Sequence, residues 1–316
     1  MGAKSDLISH LHVLKTSVAL RRVVFLARCS KGLSVMLEKM LGCTLLTKLR
    51  AILLMEAEFN HSNKEIFGFR MLENARKYVF IPKEVYIEHG KTSDDGTLAK
   101  VLFQDLVRKT RLTAGLTSVD AANFYDSIAH AIASLAFQAY GVPEEVVQSM
   151  LSTIEEMKYY LRTAYGDSKS YRGHKISVKF QGLCQGNGAA PSGWSVISIT
   201  ILNAHKKKGH RGKFVCLVSQ RTGHLAEILF VDDNDLIHID MDQDQTAAEA
   251  HEDLQASVNS WGKLMIASRG SLKPEKCFLY LISFFWNSSG KWAYIKMTLT
   301  APTLTCTTLT RLTLTR

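Results

Sequence analysis

Two short apolar segments flank a run of four acidic and amide residues, an arrangement that few folds accommodate. Residues 225–231 and 236–239 are rich in Leu, Ile, Phe and Val, and Asp232-Asp233-Asn234-Asp235 stands between them. Turn-forming residues between two β-like segments predict an antiparallel hairpin with carboxylates at its tip. Adjacent carboxylates repel each other, so the pair requires either open solvent or a divalent cation that neutralises it.

Another carboxylate follows an apolar segment more than a hundred residues earlier. Residues 114–119 predict a short buried strand, and Asp120 stands at its end. Taken alone, this residue is also explained as a cap of a strand or helix. Two Mg²⁺ ions about 4 Å apart can activate an attacking hydroxyl and stabilise a leaving oxygen, and they need carboxylates that converge from neighbouring strands. A strand that ends at Asp120 beside a hairpin that presents Asp232 would supply them.

The charge of the chain favours a polyanionic partner. The 316 residues include 39 Lys and Arg against 29 Asp and Glu, a formal net charge of +10. Residues 171–214 hold eight basic and no acidic residues, whereas residues 230–262 hold nine acidic and no basic ones. Solvated surface faces explain such runs equally well. The six cysteines lack the spacing of a zinc site, and no apolar stretch reaches 18 residues, so we expect an intracellular protein without a membrane span.

Local patterns also give a coarse secondary structure. They predict helix over residues 7–47, an edge strand over 48–58, helices over 127–140, 144–163 and 244–260, and strands over 174–181 and 278–286. The Thr/Leu-rich tail that begins at Thr298 is expected to lie outside the fold or to form an edge strand.

Four motifs follow one another along the chain, and their order is more informative than any one of them. They are Asp120-Ala-Ala-Asn-Phe-Tyr125, Gln181-Gly-Leu-Cys-Gln185-Gly186-Asn-Gly188-Ala-Ala-Pro191, Phe230-Val231-Asp232-Asp233 and Gly270-Ser-Leu-Lys-Pro-Glu-Lys276. Over residues 48–286 they resemble the palm motifs of reverse transcriptases of the non-LTR retrotransposon or group II intron type, with Lys273 where Asn is usual. The upstream Lys48-Leu49-Arg50 resembles the fingers strand of that family.

The resemblance implies an α+β fold with a right-hand polymerase palm, which is an antiparallel sheet backed by helices, and with fingers. It implies a basic helical extension over residues 1–47, fingers over 48–113, a palm over 114–296 with a basic fingers-side segment near 164–182, and a low-complexity Thr/Leu tail over 297–316. Little more than one strand fits after Trp286, so we expect that a helical thumb is missing and that the chain is a truncated retroelement product.

The resemblance also assigns roles to individual residues. Asp120 and Asp232 would bind two Mg²⁺ ions, for which Mn²⁺ could substitute, with Asp233 as a weaker or indirect partner, and the backbone carbonyl of Ala121 would complete one coordination shell. Lys276 would protonate the leaving pyrophosphate as a general acid. The incoming nucleotide would be bound by the remaining residues of the set, which are Lys48 and Arg50 at the triphosphate, Tyr125 under the sugar, and Gln185 and Gly186 along the pocket.

The implied activity is RNA-directed DNA polymerisation, with an RNA template, a DNA primer and deoxynucleoside triphosphates as partners. The compartment would be the cytoplasm, the nucleus or both, and the sequence does not indicate the oligomeric state. Two alternatives remain open. One is a catalytically inactive nucleic-acid-binding remnant of a retroelement. The other is a metal-dependent nuclease, for which no constellation of His or Glu accompanies the aspartates.

Overall fold

The computed structural model describes residues 27–39, 41–43, 45, 49–86, 90–122, 124–163, 165–170, 181–216, 218–231, 233–241 and 244–300. Contacts between Cα atoms divide the chain into two units. The first unit comprises Met1–Ile81 and Asn123–Ser198, and the second comprises Pro82–Ala122 and Ile199–Arg316. Each unit is therefore built from two separate stretches of the chain.

Helices occur in both units. In chain order they are α1 (Ala57–Asn63), α2 (Met71–Lys77), α3 (Ser93–Thr110), α4 (Phe124–Ser127), α5 (His130–Ala139), α6 (Glu144–Glu156), α7 (Ala190–Lys207) and α8 (Ala247–Ala267), with a π-helical turn at Lys64–Arg70 and 3₁₀ turns at Ala27–Ser30 and Pro274–Lys276. The boundary between the units falls within α7. No helix in the described ranges combines the length and apolar character needed to cross a bilayer.

The strands form separate sheets in the two units. In chain order they are β1 (Lys31–Glu38), β2 (Leu49–Leu54), β3 (Ala114–Asp120), β4 (Lys158–Thr163), β5 (Gly166–Asp167), β6 (Gly212–Val215), β7 (Thr222–Leu225), β8 (Glu227–Phe230), β9 (Asp233–Ile239), β10 (Phe278–Trp286) and β11 (Trp292–Thr300). The fold is thus of mixed α+β class, as the sequence predicts.

The sheet of the first unit has the described strands in the order β2-β1-β4-β5. β1 pairs with β2 in the antiparallel sense and with β4 in the parallel sense. A Cβ atom at Gly32 would lie 2.6 Å from Sδ of Met157 and 2.8 Å from Cδ1 of Leu53, so this strand packs too closely for any side chain there. The edge strand predicted near residues 48–58 is confirmed as β2.

The sheet of the second unit has the described strands in the order β11-β10-β3-β9-β8, with every pairing antiparallel. Helix α3 covers one face, where Phe103 and Val107 pack with Leu116 and Ile237. Helix α8 covers the other face, where a Cβ atom at Gly115 would lie only 2.1 Å from a methyl group of Leu254. The central strand β3 is therefore buried on both sides, and its last residue, Asp120, reaches the edge of this core.

Several local predictions are wrong, and each error has the same physical origin. The helix expected over residues 7–47 is a strand at Lys31–Glu38, while residues 1–26 lie outside the described ranges. The helix expected over 144–163 ends at Glu156, because Met157 takes an extended conformation (φ −59°, ψ 140°) and β4 then pairs with β1. Pairing with a distant strand overrides the local helical pattern in both places.

Other segments were predicted in part. The strand expected over residues 174–181 falls almost wholly outside the described residues. Residues 297–300 of the Thr/Leu tail complete β11, the outermost strand, which matches the edge-strand alternative, and residues 301–316 lie outside the described ranges. Helix α7 was not predicted, since Gly193 and three serines near its start resemble a loop. The hydroxyl groups of Ser195 and Ser198 instead donate to backbone carbonyls within the helix.

A buried carboxyl group on β8 gives a first testable prediction. Glu227 is fully buried, both of its oxygens lack a hydrogen-bond partner among the described residues, and burial raises its pKa well above the ordinary value. A raised folded-state pKa favours the protonated folded protein, so this stability is present below the unfolded pKa and is lost as pH rises. We expect Glu227→Gln to raise the free energy of unfolding at pH 7 to 8 by about 1 to 3 kcal/mol.

The measurement for Glu227 is urea unfolding at several pH values. The stabilisation should shrink as the pH falls towards the ordinary Glu pKa. Glu252→Gln, on the exposed side of α8, serves as the matched control with the same loss of charge. Equal effects of the two substitutions at all pH values would contradict the prediction.

Candidate functional site

Strands β8 and β9 form the hairpin that the sequence predicts, but Asp233, Asn234 and Asp235, which were expected in its turn, begin strand β9. Phe230 and Asp233 face each other as the last pair of the ladder. Between them, Val231 has a φ of 55°, in the left-handed region. A β-branched residue rarely adopts this conformation, so the turn is strained. Asp232 lies outside the described residues.

The register of β3 and β9 brings the two distant acidic positions together. Asp120 pairs directly with Asp233 across the two antiparallel strands. Residues that face each other in this way have Cβ atoms about 5 Å apart and point to the same face of the sheet. Like charges directly opposite each other are destabilising, so the pair needs a compensating positive charge.

Lys276 supplies a positive charge at this pair. Its Nζ atom lies 3.0 Å from Oδ2 of Asp120, whose side chain is 19% exposed. The backbone fixes the position of this lysine, because the N–H of Lys273 donates to the carbonyl oxygen of Asp120 (2.9 Å) and the 3₁₀ turn Pro274–Lys276 follows at once. The predicted residues Asp120, Asp233 and Lys276 are thus assembled within the second unit.

The backbone carbonyl of Ala121 is directed away from the segment that carries Lys276. Ala121 forms an antiparallel bridge with Leu272. Two hydrogen bonds close that bridge. The carbonyl oxygen of Asp120 accepts from the N–H of Lys273, and the N–H of Ala122 donates to the carbonyl oxygen of Ser271 (2.8 Å). In an antiparallel bridge of this kind the central residue turns its own polar groups to the opposite side. The carbonyl of Ala121 is therefore oriented to the side of its strand opposite residues 271–273.

The third acidic residue of the hairpin has a structural partner. Asp235 lies on the same face of β9 as Asp233, and Lys100 of α3 forms an ion pair with it. Burial raises the pKa of Asp235, whereas the contact with Lys100 lowers it. Because Asp235 is held by α3, the described carboxylates at the sheet edge are those of Asp120 and Asp233.

The donor atoms at this edge suit a hard divalent cation. Carboxylate and carbonyl oxygens are the ligands that Mg²⁺ prefers, and the ion commonly takes one or two carboxylates together with water and phosphate oxygens. The described residues contain no group of three or more His, Cys, Asp or Glu that could hold a metal, and Asp232 is not among them. Of the predicted ligands, Asp120, Asp233 and the Ala121 carbonyl lie among the described residues.

A second cluster of predicted residues lies in the first unit, around the glycine-rich loop 182–188. The N–H of Leu183 donates to the carbonyl oxygen of Tyr125 (2.7 Å), and the N–H of Leu53 donates to the carbonyl oxygen of Gln185 (2.8 Å). Gly186 has a φ of 112°, and a Cβ atom there would lie 2.2 Å from the Leu53 carbonyl oxygen. Gln185 and Gly186 are therefore held against β2, and the backbone of Tyr125 is bonded to the start of the same loop at Leu183.

Asp126 supports this loop, although it is not among the predicted site residues. Its Oδ1 atom accepts a hydrogen bond from the N–H of Gln185 (3.1 Å). Desolvation raises the pKa of Asp126, and the bond from Gln185 opposes that rise. The residue directly follows Tyr125, so its position after the first motif was the available signal.

Arg50 is exposed on β2, close in sequence to the loop contact made by Leu53. Alternation along the strand places the side chains of Arg50 and Leu53 on opposite faces. The structure thus puts Arg50 on the strand that holds the loop without placing its side chain in a described contact with it. Lys48 lies outside the described residues.

Asn60 holds the glycine-rich loop from helix α1. Its Nδ2 atom donates to the carbonyl oxygen of Gly186 (3.1 Å), and its Oδ1 atom accepts from the N–H of Gly188. A neighbouring residue of the same helix, Asn63, donates to Oδ1 of Asn187 (3.1 Å). No local pattern in the sequence indicates this role, because the loop lies more than 120 residues away.

We expect Asn60→Ala to loosen the loop. The loss of two hydrogen bonds should cost about 1 to 3 kcal/mol and should speed amide exchange at Gly188 by tenfold or more, as measured by hydrogen exchange with mass spectrometry. Asn74→Ala is the matched control, because Asn74 donates a comparable bond to the carbonyl of Tyr140 (3.2 Å) in the same unit. Unchanged exchange at residues 185–188 in Asn60→Ala would show that this side chain does not hold the loop.

Comparison with solved structures gives matches over most of the chain. The structure of telomerase from Candida albicans in complex with a TWJ fragment of telomeric RNA matches with a TM-score of 0.52 and 9% identity, over 80% of this chain and 42% of that one. Apo telomerase from Candida tropicalis, truncated from its C-terminal domain, matches with a TM-score of 0.52 and 12% identity, over 88% and 55% of the two chains. The chain therefore spans about half the length of these telomerases or less.

At these identities the similarity concerns the fold. The chain shares a mixed α+β architecture with a part of telomerase. No protein-family model matches the sequence, and comparison with curated proteins gives no match.

Proposed function

We propose that this chain is the core of an RNA-directed DNA polymerase that adds deoxynucleotides to a primer by two-metal phosphoryl transfer. The observation that carries the proposal is the direct pairing of Asp120 with Asp233 beside the ammonium group of Lys276. The similarity of the fold to telomerase, a specialised reverse transcriptase, supports the same class of activity. The order of the four sequence motifs supports an origin in a retroelement.

In this proposal the sheet of the second unit is the palm. Asp120, Asp233 and Asp232 would hold two Mg²⁺ ions with the carbonyl of Ala121. When bound, such ions supply charge stabilisation to the attacking hydroxyl and the leaving oxygen. The protein's own contribution is a rigid edge of sheet that keeps the carboxylates on one face, since catalysis of phosphoryl transfer rests mainly on positioning and on charge.

The remaining predicted residues would donate a proton or bind the incoming nucleotide. Lys276 carries a proton at Nζ next to Asp120 and would donate it to the leaving pyrophosphate. The fingers would comprise residues 48–113, and the resemblance to reverse transcriptases gives Gln185 and Gly186 the role of lining the nucleotide pocket and Tyr125 a place under the sugar. Arg50 would bind the triphosphate from β2, together with Lys48. The partners would be an RNA template, a DNA primer and deoxynucleoside triphosphates.

Primer extension tests the proposal. A labelled DNA primer on an RNA template is incubated with Mg²⁺ and deoxynucleoside triphosphates, and wild type is compared with Asp233→Asn. Extension by wild type alone supports the polymerase. Absence of extension by both proteins, with RNA binding that persists and weakens with salt, would favour an inactive remnant. Cleavage of RNA or DNA without added nucleotides would favour a nuclease.

A further inference from the structure

A strongly basic surface lies on the second unit, between the end of α7 and the hairpin of β6 and β7. We name it the basic hairpin surface, and its exposed cationic residues are Lys207, Lys208, Arg211, Lys213 and Arg221, with His224 beside them. Residues 199–226 contain no Asp or Glu. The surface therefore concentrates positive charge without a carboxylate of its own.

The cations of this surface form no ion pairs with carboxylates in the described part of the chain. Lys206, just before the surface, forms an ion pair with Glu84 (2.5 Å) and is largely buried. None of the five exposed Lys and Arg residues forms an ion pair with a described carboxylate. Unpaired cations that are held close together repel each other, so an anion bound from outside would stabilise this surface.

The surface has a rigid base on the five-stranded sheet. A Cβ atom at Gly212 would lie 2.8 Å from Ile239 and 2.9 Å from the carbonyl oxygen of Leu225, so the hairpin approaches the sheet as closely as a backbone can. On the hairpin itself, Lys213 and His224 face each other across the strands, and both are exposed. Their side chains therefore project together from one face.

The position of the surface along β9 suits an extended polyanion. Asp233 begins this strand and Ile239, against which the hairpin packs, ends it. A strand of this length spans about 20 Å, a distance that corresponds to about six base pairs of a duplex at 3.4 Å each. A duplex that ended at the carboxylate pair could thus reach the hairpin within less than one helical turn.

We propose that the basic hairpin surface binds the phosphate backbone of the template–primer duplex, at a distance from the reacting end. The proposal rests on the polymerase function above and identifies the surface with which the polymerase would hold the template–primer duplex. Binding of this kind depends on the charge of the phosphates and not on the base sequence of the duplex. An anionic membrane is the less suitable partner, because Val218 is the one large apolar side chain of the described hairpin that is exposed, and a membrane-binding surface needs a broad apolar face.

The test measures duplex binding without nucleotides or Mg²⁺. Fluorescence anisotropy of a labelled RNA–DNA hybrid is followed against salt for wild type and for Lys208→Gln/Arg211→Gln/Lys213→Gln. Each lost phosphate contact should lower the slope of log K against log salt by about 0.9, so the triple variant should bind about a hundredfold more weakly at 0.15 M salt. Lys109→Gln/Lys263→Gln/Lys291→Gln removes the same charge from exposed positions elsewhere in this unit and should change binding little.

The outcomes separate this inference from the proposed function. If wild type does not extend a primer but only the hairpin variant loses hybrid binding, the polymerase proposal is refuted. The proposal that the basic hairpin surface binds a duplex is then still supported. Equal weakening by the two triple variants would overturn the surface, since net charge alone would then explain the effect. Hybrid binding that is unchanged while binding to phosphatidylserine vesicles is lost would also overturn it, in favour of a membrane.

Discussion

Replacing Asp120 by Asn is expected to lower primer extension by about a hundredfold to a thousandfold while the fold remains intact. The substitution keeps the shape of the side chain but removes the negative charge that pairs with Lys276 and faces Asp233. Groups that stabilise charge in a transition state typically contribute factors of this size when one is removed. The change removes both the repulsion between two facing carboxylates and the ion pair with the exposed Lys276, so the melting temperature should change little.

Two measurements accompany that prediction. Single-turnover extension gives the rate, and paramagnetic resonance of Mn²⁺ gives ion binding in the absence of any reaction. Asp105→Asn, an exposed position of α3, is the control with the same change of charge. If Asp120→Asn bound Mn²⁺ like wild type and kept a tenth of the wild-type rate, Asp120 would not belong to the proposed metal site.

Replacing Gly186 by Ala is expected to have the largest effect on the stability of the first unit. At a φ of 112° an L-residue is strained, and the added Cβ atom would lie 2.2 Å from a backbone oxygen of β2 that cannot move without disturbing the sheet. The strain alone costs about 1 to 3 kcal/mol. The forced displacement of Gln185 should add to it and should weaken nucleotide binding.

A second glycine isolates the contribution of this contact. Gly166 in the same unit has a φ of 116°, and a Cβ atom there would meet nothing within 4 Å. Gly166→Ala therefore carries a similar backbone strain without the collision. Urea unfolding should show a clearly larger loss for Gly186→Ala, and equal losses would mean that the loop does not press against β2 as described.

The sequence contains enough local information to predict the centre of the second unit. Residues 114–119 and 278–286 are apolar and rich in β-branched or aromatic residues, and both are strands. The apolar segments on either side of the acidic one form a hairpin, although Asp233, Asn234 and Asp235 belong to strand β9 and not to its turn. Turn chemistry and apolar runs are properties of a few adjacent residues, so they can be recognised without knowledge of the partner strands.

The missed features depend on contacts between distant residues. β1 and β4 are strands because they pair with each other, although their sequences also suit a helix. Asn60 is an ordinary polar helix residue until the loop at Gly186 is placed beside it. The pairing of Asp120 with Asp233 rather than with another position of the hairpin is likewise set by the register of the whole sheet, which no short motif specifies.

The long separation between the paired carboxylates affects how the protein must be made. β3 pairs with β9 on one side and with β10 on the other, and both strands follow it by more than a hundred residues. At a synthesis rate of about 5 to 20 residues per second, the two edges of β3 remain unpaired for roughly 6 to 30 s while their partner strands are synthesised. Throughout that interval a nascent chain exposes two apolar strand edges, and it needs either a chaperone or temporary contacts to avoid aggregation.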